Sequence, residues 1–248
     1  MPPPRHLRNA PIIEAIFDFR VKARAGFRPE EFSELRSHLA DRFPSVEERR
    51  GLQATFAMIP GQGQPPVVQD MGLHGYFFKT SDGKAIAQFR VDGFTFNRLR
   101  PYTNWEELFP QVMGLWRLYT SISKPDVTTR LAARYINRIP LPLGVVAFET
   151  YLRAAPVVPP ELPQYVSSFL TRVTIHEPET RIAAHVAQAL EAQAGGQQSA
   201  VILDIDAFKE GEFPADDPAI EQSFGALRSF KNLIFFNSLT EDMLREFE

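Results

Sequence analysis

The sequence predicts an α+β fold built from two related β-α-β(3-4)-α repeats, residues 1–125 and 126–248, each an antiparallel sheet packed against a long helix. Three observations predict it. Apolar residues alternate with a period of two in short runs bounded by Asp-Gly, Pro and Gly turns. Two longer stretches, 104–120 and 217–236, carry apolar residues at helical spacing. The chain also resembles itself: "AIAQFRVDGF" (85–94) aligns with "SAVILDIDAF" (199–208) at an offset of 114, and Glu106 and Phe109 align with Glu221 and Phe224 at 115.

The first repeat reads element by element. In "NAPIIEAIFDFRV" (9–21), Ala15, Phe17, Phe19 and Val21 share one strand face, while Glu14, Ile16, Asp18 and Arg20 share the other. "RPEEFSELRSHLADRF" sets Phe32, Leu35, Leu39 and Phe43 at helical spacing, with Pro29 and acidic residues in the first turn. Residues 46–59 read as extended and end at "PGQGQPP", a loop by composition. Ser81-Asp82-Gly83-Lys84 and Asp92-Gly93 are hairpin turns, because Asp-Gly accepts positive φ cheaply. Asn104 caps a helix with Glu107 three residues on, and Phe109, Val112, Leu115, Trp116 and Tyr119 form its apolar stripe.

The second repeat starts after Lys124-Pro125. Residues 127–141 alternate as a strand, with Leu131, Ala133, Tyr135 and Asn137 opposite Arg130, Arg134 and Arg138. A short helix is expected around 146–153, then a proline-rich loop, then a hairpin of 165–176 with 181–192 turning near Glu177-Pro178-Glu179. "AHVAQALEAQ" also suits a helix, since Ala, Gln and Glu favour one. "SAVILDIDAF" is a strand. The helix begun at Asp216-Asp217-Pro218 carries Phe224, Leu227, Phe230 and Ile234, and Ser238 with Glu241 is expected to cap a last short helix. Duplication predicts two antiparallel sheets meeting along a seam.

Composition excludes several functions. There is no cysteine, so disulfides, thiolate metal sites and cysteine nucleophiles are absent. The five histidines, His6, His38, His74, His176 and His185, form no metal-ligand spacing, and neither a metal nor a cofactor is expected. No serine-hydrolase elbow, P-loop or dinucleotide fingerprint occurs; the G-x-G of "GQGQPP" runs into prolines where a helix N-terminus is required. Net charge of −3 argues against a general polyanion binder. No apolar run approaches a membrane span, and the N-terminus lacks an apolar leader core, so the cytoplasm is the expected compartment. Residues 1–125 carry 17 basic and 13 acidic side chains, and 126–248 carry 10 and 17, so the halves are oppositely charged and can attract within or between chains.

"LRNAPIIEAIFDF", "SDGKAIAQFRVDGFTFNRLRPYTNWEE", "LWRLY", "RYINRIPLP" and "FKNLIFFNSLTE" together resemble a sporadically distributed bacterial family of unestablished function. The resemblance runs from about residue 7 to about residue 240. It implies a soluble accessory protein and no reaction, cofactor or catalytic residue. Patchy distribution suits toxin–antitoxin or phage-defence loci. Each half also resembles the repeat of the TATA-binding-protein architecture, a likeness of fold that carries no DNA binding with it.

Candidate site residues follow. Glu14 and Asp18 lie about 13 Å apart along one strand face, beyond the roughly 5–9.5 Å of paired glycosidase carboxylates. They read as ion-pair partners, with Arg134 and Arg138 opposite, and no catalytic residue is assigned. Asn97, Arg98, Arg100, Tyr102 and Trp105 sit where a strand hands over to a long helix, a corner suited to gripping an anion or peptide. Arg134, Asn137 and Arg138 are the second cluster, since Asn137 needs a partner among apolar neighbours. The sequence therefore predicts a non-enzymatic module that binds a protein partner, with a homodimer also expected and no membrane involved. The competing expectation is a small-ligand site or enzyme pocket between sheet and helix, using Arg98, Arg134 or Asn137. A third, weaker expectation is nucleic-acid binding through the more basic first half, with affinity that falls steeply with added salt.

Overall fold

A computed structural model describes residues 7–55, 67–142, 147–191, 199–215 and 217–248. The predicted loop at 60–66 lies outside them. The fold is α+β, with one antiparallel sheet of nine strands. Its elements are β1 (Ile12–Lys22), a 3-10 turn (Pro29–Glu34) running into α1 (Leu35–Leu39), β2 (Ser45–Thr55), β3 (Val67–Lys79), β4 (Ala85–Arg90), β5 (Gly93–Leu99) and α2 (Trp105–Ser123). Then follow β6 (Val127–Pro140), a single 3-10 turn (Phe148–Thr150), β7 (Leu170–Glu177), β8 (Ile182–Glu191), β9 (Ala200–Phe213), α3 (Asp217–Ser238) and α4 (Glu241–Arg245). No helix among the described residues is long and apolar enough to cross a membrane.

The strand order is β2-β3-β4-β5-β1-β6-β9-β8-β7. The two sheets expected from the sequence are thus one. β1 pairs with β5 on one side and with β6 on the other, so the ladder continues where a seam was expected. Packing gives the reason. Phe17 lies 5.3 Å from Trp105 of α2 and 5.9 Å from Phe224 of α3. Phe19 stacks on Trp116 at 4.5 Å and meets Phe224 at 4.8 Å. Both long helices share the β1 aromatics, each worth about 1.5–3 kcal/mol when fully buried, which holds the halves on one surface.

Alternation then sorts the side chains. Phe17, Phe96 and Ala87 are paired across β1, β5 and β4 on the helix side, and all three are buried. Glu14, Asp18, Gln88, Arg90, Thr95 and Asn97 occupy the positions of opposite parity and face away from the helices.

Three expectations change, and one choice left open by the sequence is decided. The match of 85–94 with 199–208 sets a hairpin, β4 turning into β5, against part of the single strand β9, so that pairing does not hold in space. Residues 182–191 form the second strand of the expected hairpin and not the alternative helix, because pairing with β7 and β9 outweighs their helix propensity. The last helix is capped by Thr240, whose hydroxyl accepts from the Met243 N–H, while Ser238 donates back to the Ile234 carbonyl. The helix expected around 146–153 is only the 3-10 turn at 148–150 where it is described.

Candidate functional site

Glu14 and Asp18 are the starting point on the uncovered sheet face. Asp18 is nearly buried and is surrounded by Arg20 at 2.9 Å, Arg90 at 3.2 Å and Arg130 at 3.4 Å, and it accepts from the Thr95 hydroxyl. Burial pushes its carboxyl up, but Thr95, Arg20 and Arg90 together outweigh burial and hold it below the usual range. Asp92 pairs with Arg90 at 3.0 Å and Arg20 at 2.6 Å; against its partial burial, these arginines and His74 lower it to about 2. Arg90 is 2% exposed and wholly committed to this network. Glu14 accepts from Asn97 at 2.7 Å, and Asn97 in turn accepts from Gln88 at 2.9 Å.

These carboxylates are ion-pair and hydrogen-bond partners, as expected, but with different arginines. Arg134 chelates Asp204, and Arg138 reaches Glu191 at 2.7 Å. Sequence spacing could not foresee this, because β9 and β8 bring those acids alongside from far along the chain.

The corner where β5 hands over to α2 is concave. β1 begins there, and β5 and β6 run antiparallel to it and end there, so residues 7–12, 100–106 and 135–140 converge. One face of α3 closes the space. Arg228, Lys231, Asn232 and Phe235, spaced three or four apart, share that face. They line a cleft of about 230 Å³ with Ile12, Tyr102, Asn104, Trp105, Tyr135 and Asn137. A wider groove of about 500 Å³ adjoins it and includes Arg100, Tyr102 and Arg138.

Of the residues singled out from sequence, Tyr102, Trp105 and Asn137 line the cleft, while Arg100 and Arg138 line the groove. Asn97 and Arg134 lie on the uncovered sheet face, and Arg98 turns to the Pro101 carbonyl at 3.3 Å. The pocket expectation named Arg98, Arg134 or Asn137; of these Asn137 lines the cleft and the two arginines do not. Asn137 donates to the carbonyls of Leu203 and Tyr135, which satisfies the amide that the sequence left without a partner.

The residue the sequence did not reveal is Lys231. Its ammonium lies 3.9 Å from the Tyr135 ring centroid and makes no ion pair or hydrogen bond among the described residues. Burial, and then the nearby Arg228 charge, lower its pKa to about 7. Arg228 bridges to Glu106 at 2.7 Å and lies over Trp105 at 5.1 Å. Tyr102 and Tyr135 meet hydroxyl to hydroxyl at 3.3 Å, and burial raises both phenols. The available signal was a lone cation inside the aromatic run "FKNLIFF", where a helix otherwise read as core carries a charge.

The arrangement offers an amine near neutrality, phenol and amide groups, and apolar walls. Among the described residues no group of three or more His, Asp or Glu is placed to hold a metal. No protein-family model and no curated protein matches this sequence.

Proposed function

We propose that the chain is a binding protein whose cleft takes a small organic molecule with an apolar or aromatic body and an electron-rich oxygen directed at Lys231. The observation that carries this is an ammonium without a counter-ion among the described residues, held in a concave site beside Trp105, Tyr102 and Tyr135. Desolvating a cation without a partner costs free energy, and a ligand oxygen would recover part of it. Titration with millimolar benzoate, followed by tryptophan fluorescence, tests it. Trp105 lines the cleft and Trp116 is buried in the core, so a saturable change lost in Lys231→Met is expected. No saturable change in the native chain would refute the reading.

A second reading, a non-enzymatic module for a protein partner, is favoured by β7. Among the described residues this edge strand pairs only with β8 and is exposed along nearly its whole length, with Leu170, Val173 and Ile175 uncovered. Such an edge accepts an added strand from another protein or a second copy. A toxin-like effector of a toxin–antitoxin or phage-defence locus is the partner suggested by the family resemblance. On the uncovered face Arg20, Arg90, Arg130, Arg134 and Arg138 are each paired with carboxylates, which favours a protein over nucleic acid. Val173→Lys with Ile175→Lys should abolish self-association or partner binding in sedimentation. An unchanged complex would refute this reading.

We also propose that the halves descend from one duplicated unit arranged like the TATA-binding-protein fold. Read outward from the β1–β6 pair, the sheet runs β5-β4-β3 one way and β9-β8-β7 the other. The aligned Phe109 and Phe224 touch at 5.4 Å, and the aligned Glu106 and Glu221 reach Arg228 and Arg117 on the opposite long helix. The equivalence supported by this order is of β5 with β9 and of α2 with α3.

A further inference from the structure

Resting on the cleft reading, we propose that Lys231 is a nucleophile that captures a small aldehyde or ketone as an imine. Three features of the site support this chemistry. The amine is not held by a carboxylate: Glu106, the acidic residue lining the cleft, is bridged to Arg228. The charged and titratable groups around it are Arg228 of α3, Glu106 of α2, Tyr102 of the corner and Tyr135 of β6. Of these, Arg228 disfavours a second positive charge, and the ring face of Tyr135 supports the amine without competing for its lone pair. Phenol hydroxyls of Tyr102 and Tyr135 belong to the same cleft and can exchange protons with the carbonyl oxygen.

The step balances without a redox partner. The lysine nitrogen forms a bond to the carbonyl carbon, the C=O π bond opens onto oxygen, and one amine proton is relayed to that oxygen to give a neutral carbinolamine. A phenol proton then converts the hydroxyl to water, which leaves as the C–O bond breaks and the nitrogen lone pair forms C=N, and the iminium returns its N–H proton to the phenolate. Only the neutral amine can start this sequence. At pH 7 about half of an amine with a pKa near 7 is neutral, against roughly one in three thousand of an ordinary lysine.

The test uses benzaldehyde with sodium cyanoborohydride at pH 7, which reduces an imine to a stable secondary amine that peptide mapping locates. The chain has five other lysines, Lys22, Lys79, Lys84, Lys124 and Lys209, as internal controls. Lys231 is expected to be trapped roughly a hundredfold faster than these, allowing for the lower nucleophilicity of a less basic amine. Benzoate should block the reaction, and Lys231→Arg should lose the adduct. Labelling spread over the other lysines, or no adduct, with benzoate still changing Trp105 fluorescence, overturns the imine and leaves the cleft reading standing. Failure of both probes overturns both.

Discussion

Replacing Lys231 by Met should stabilise the protein, and by an amount that depends on pH. A lysine whose pKa falls from 10.5 to about 7 on folding resists protonation in the native state by about 5 kcal/mol. The side chain keeps solvent contact on the cleft side, which reduces that to about 2–3 kcal/mol. Losing the contact with the Tyr135 ring returns about 1 kcal/mol. About 1–2 kcal/mol remains, and Met fills the same space without a charge. The direction with pH follows from proton counting. Between about pH 7 and pH 10.5 the unfolded chain holds the proton that the native chain has released, so native stability rises with pH in that window. The penalty is complete below pH 7 and gone above 10.5. Urea unfolding of both proteins at pH 6 and pH 10 measures it. The variant should be more stable at pH 6 by about 1–2 kcal/mol, or about 2–8 °C in Tm, and should lose that advantage at pH 10. A variant less stable at pH 6, or a difference independent of pH, would show that Lys231 is not held against protonation in the folded protein.

Other outcomes concern the scaffold. Arg90→Met leaves Asp18 buried beside fewer cations and should cost about 3–5 kcal/mol in chemical denaturation; a cost below about 1 kcal/mol would mean that the network contributes little. Asp92, held at about 2 by Arg90 and Arg20, contributes stability that is present above pH 4 and lost as pH falls toward 2, so Asp92→Asn should flatten the acid limb of the stability profile. An unaltered acid limb would show that other carboxylates set it. Gly75→Ala should cost about 3 kcal/mol or prevent folding, because its Cβ would stand 2.1 Å from the Phe89 carbonyl of β4; a thermal scan matching the native chain would contradict that close approach.

Local signals carried much of the architecture. Alternation marked β1, Asp-Gly marked the turns at 82–83 and 92–93, and Asn104 accepts from the Glu107 N–H at 2.8 Å as the capping pattern required. These features need only neighbours a few residues away. What depended on distant pairing was harder. That β1 joins β6 in one sheet and that Asp18 finds Arg90 and Arg130 follow from contacts across many residues. The corner at 97–105 stood out because arginine, asparagine and aromatics gather there, and Tyr102 and Trp105 do line the cleft. Its opposite wall stayed hidden. Helical spacing assigned α3 to the core through Phe224 and Leu227, and the same spacing carries Arg228, Lys231 and Phe235 onto the adjoining face.

The cleft reading stands or falls on the state of one amine. An NMR titration of the Lys231 side chain, run with and without benzoate, examines it directly. A midpoint near pH 7 that rises when benzoate binds is the predicted result, because an anion stabilises the protonated form. A midpoint near 10.5, unmoved by benzoate, would contradict the account.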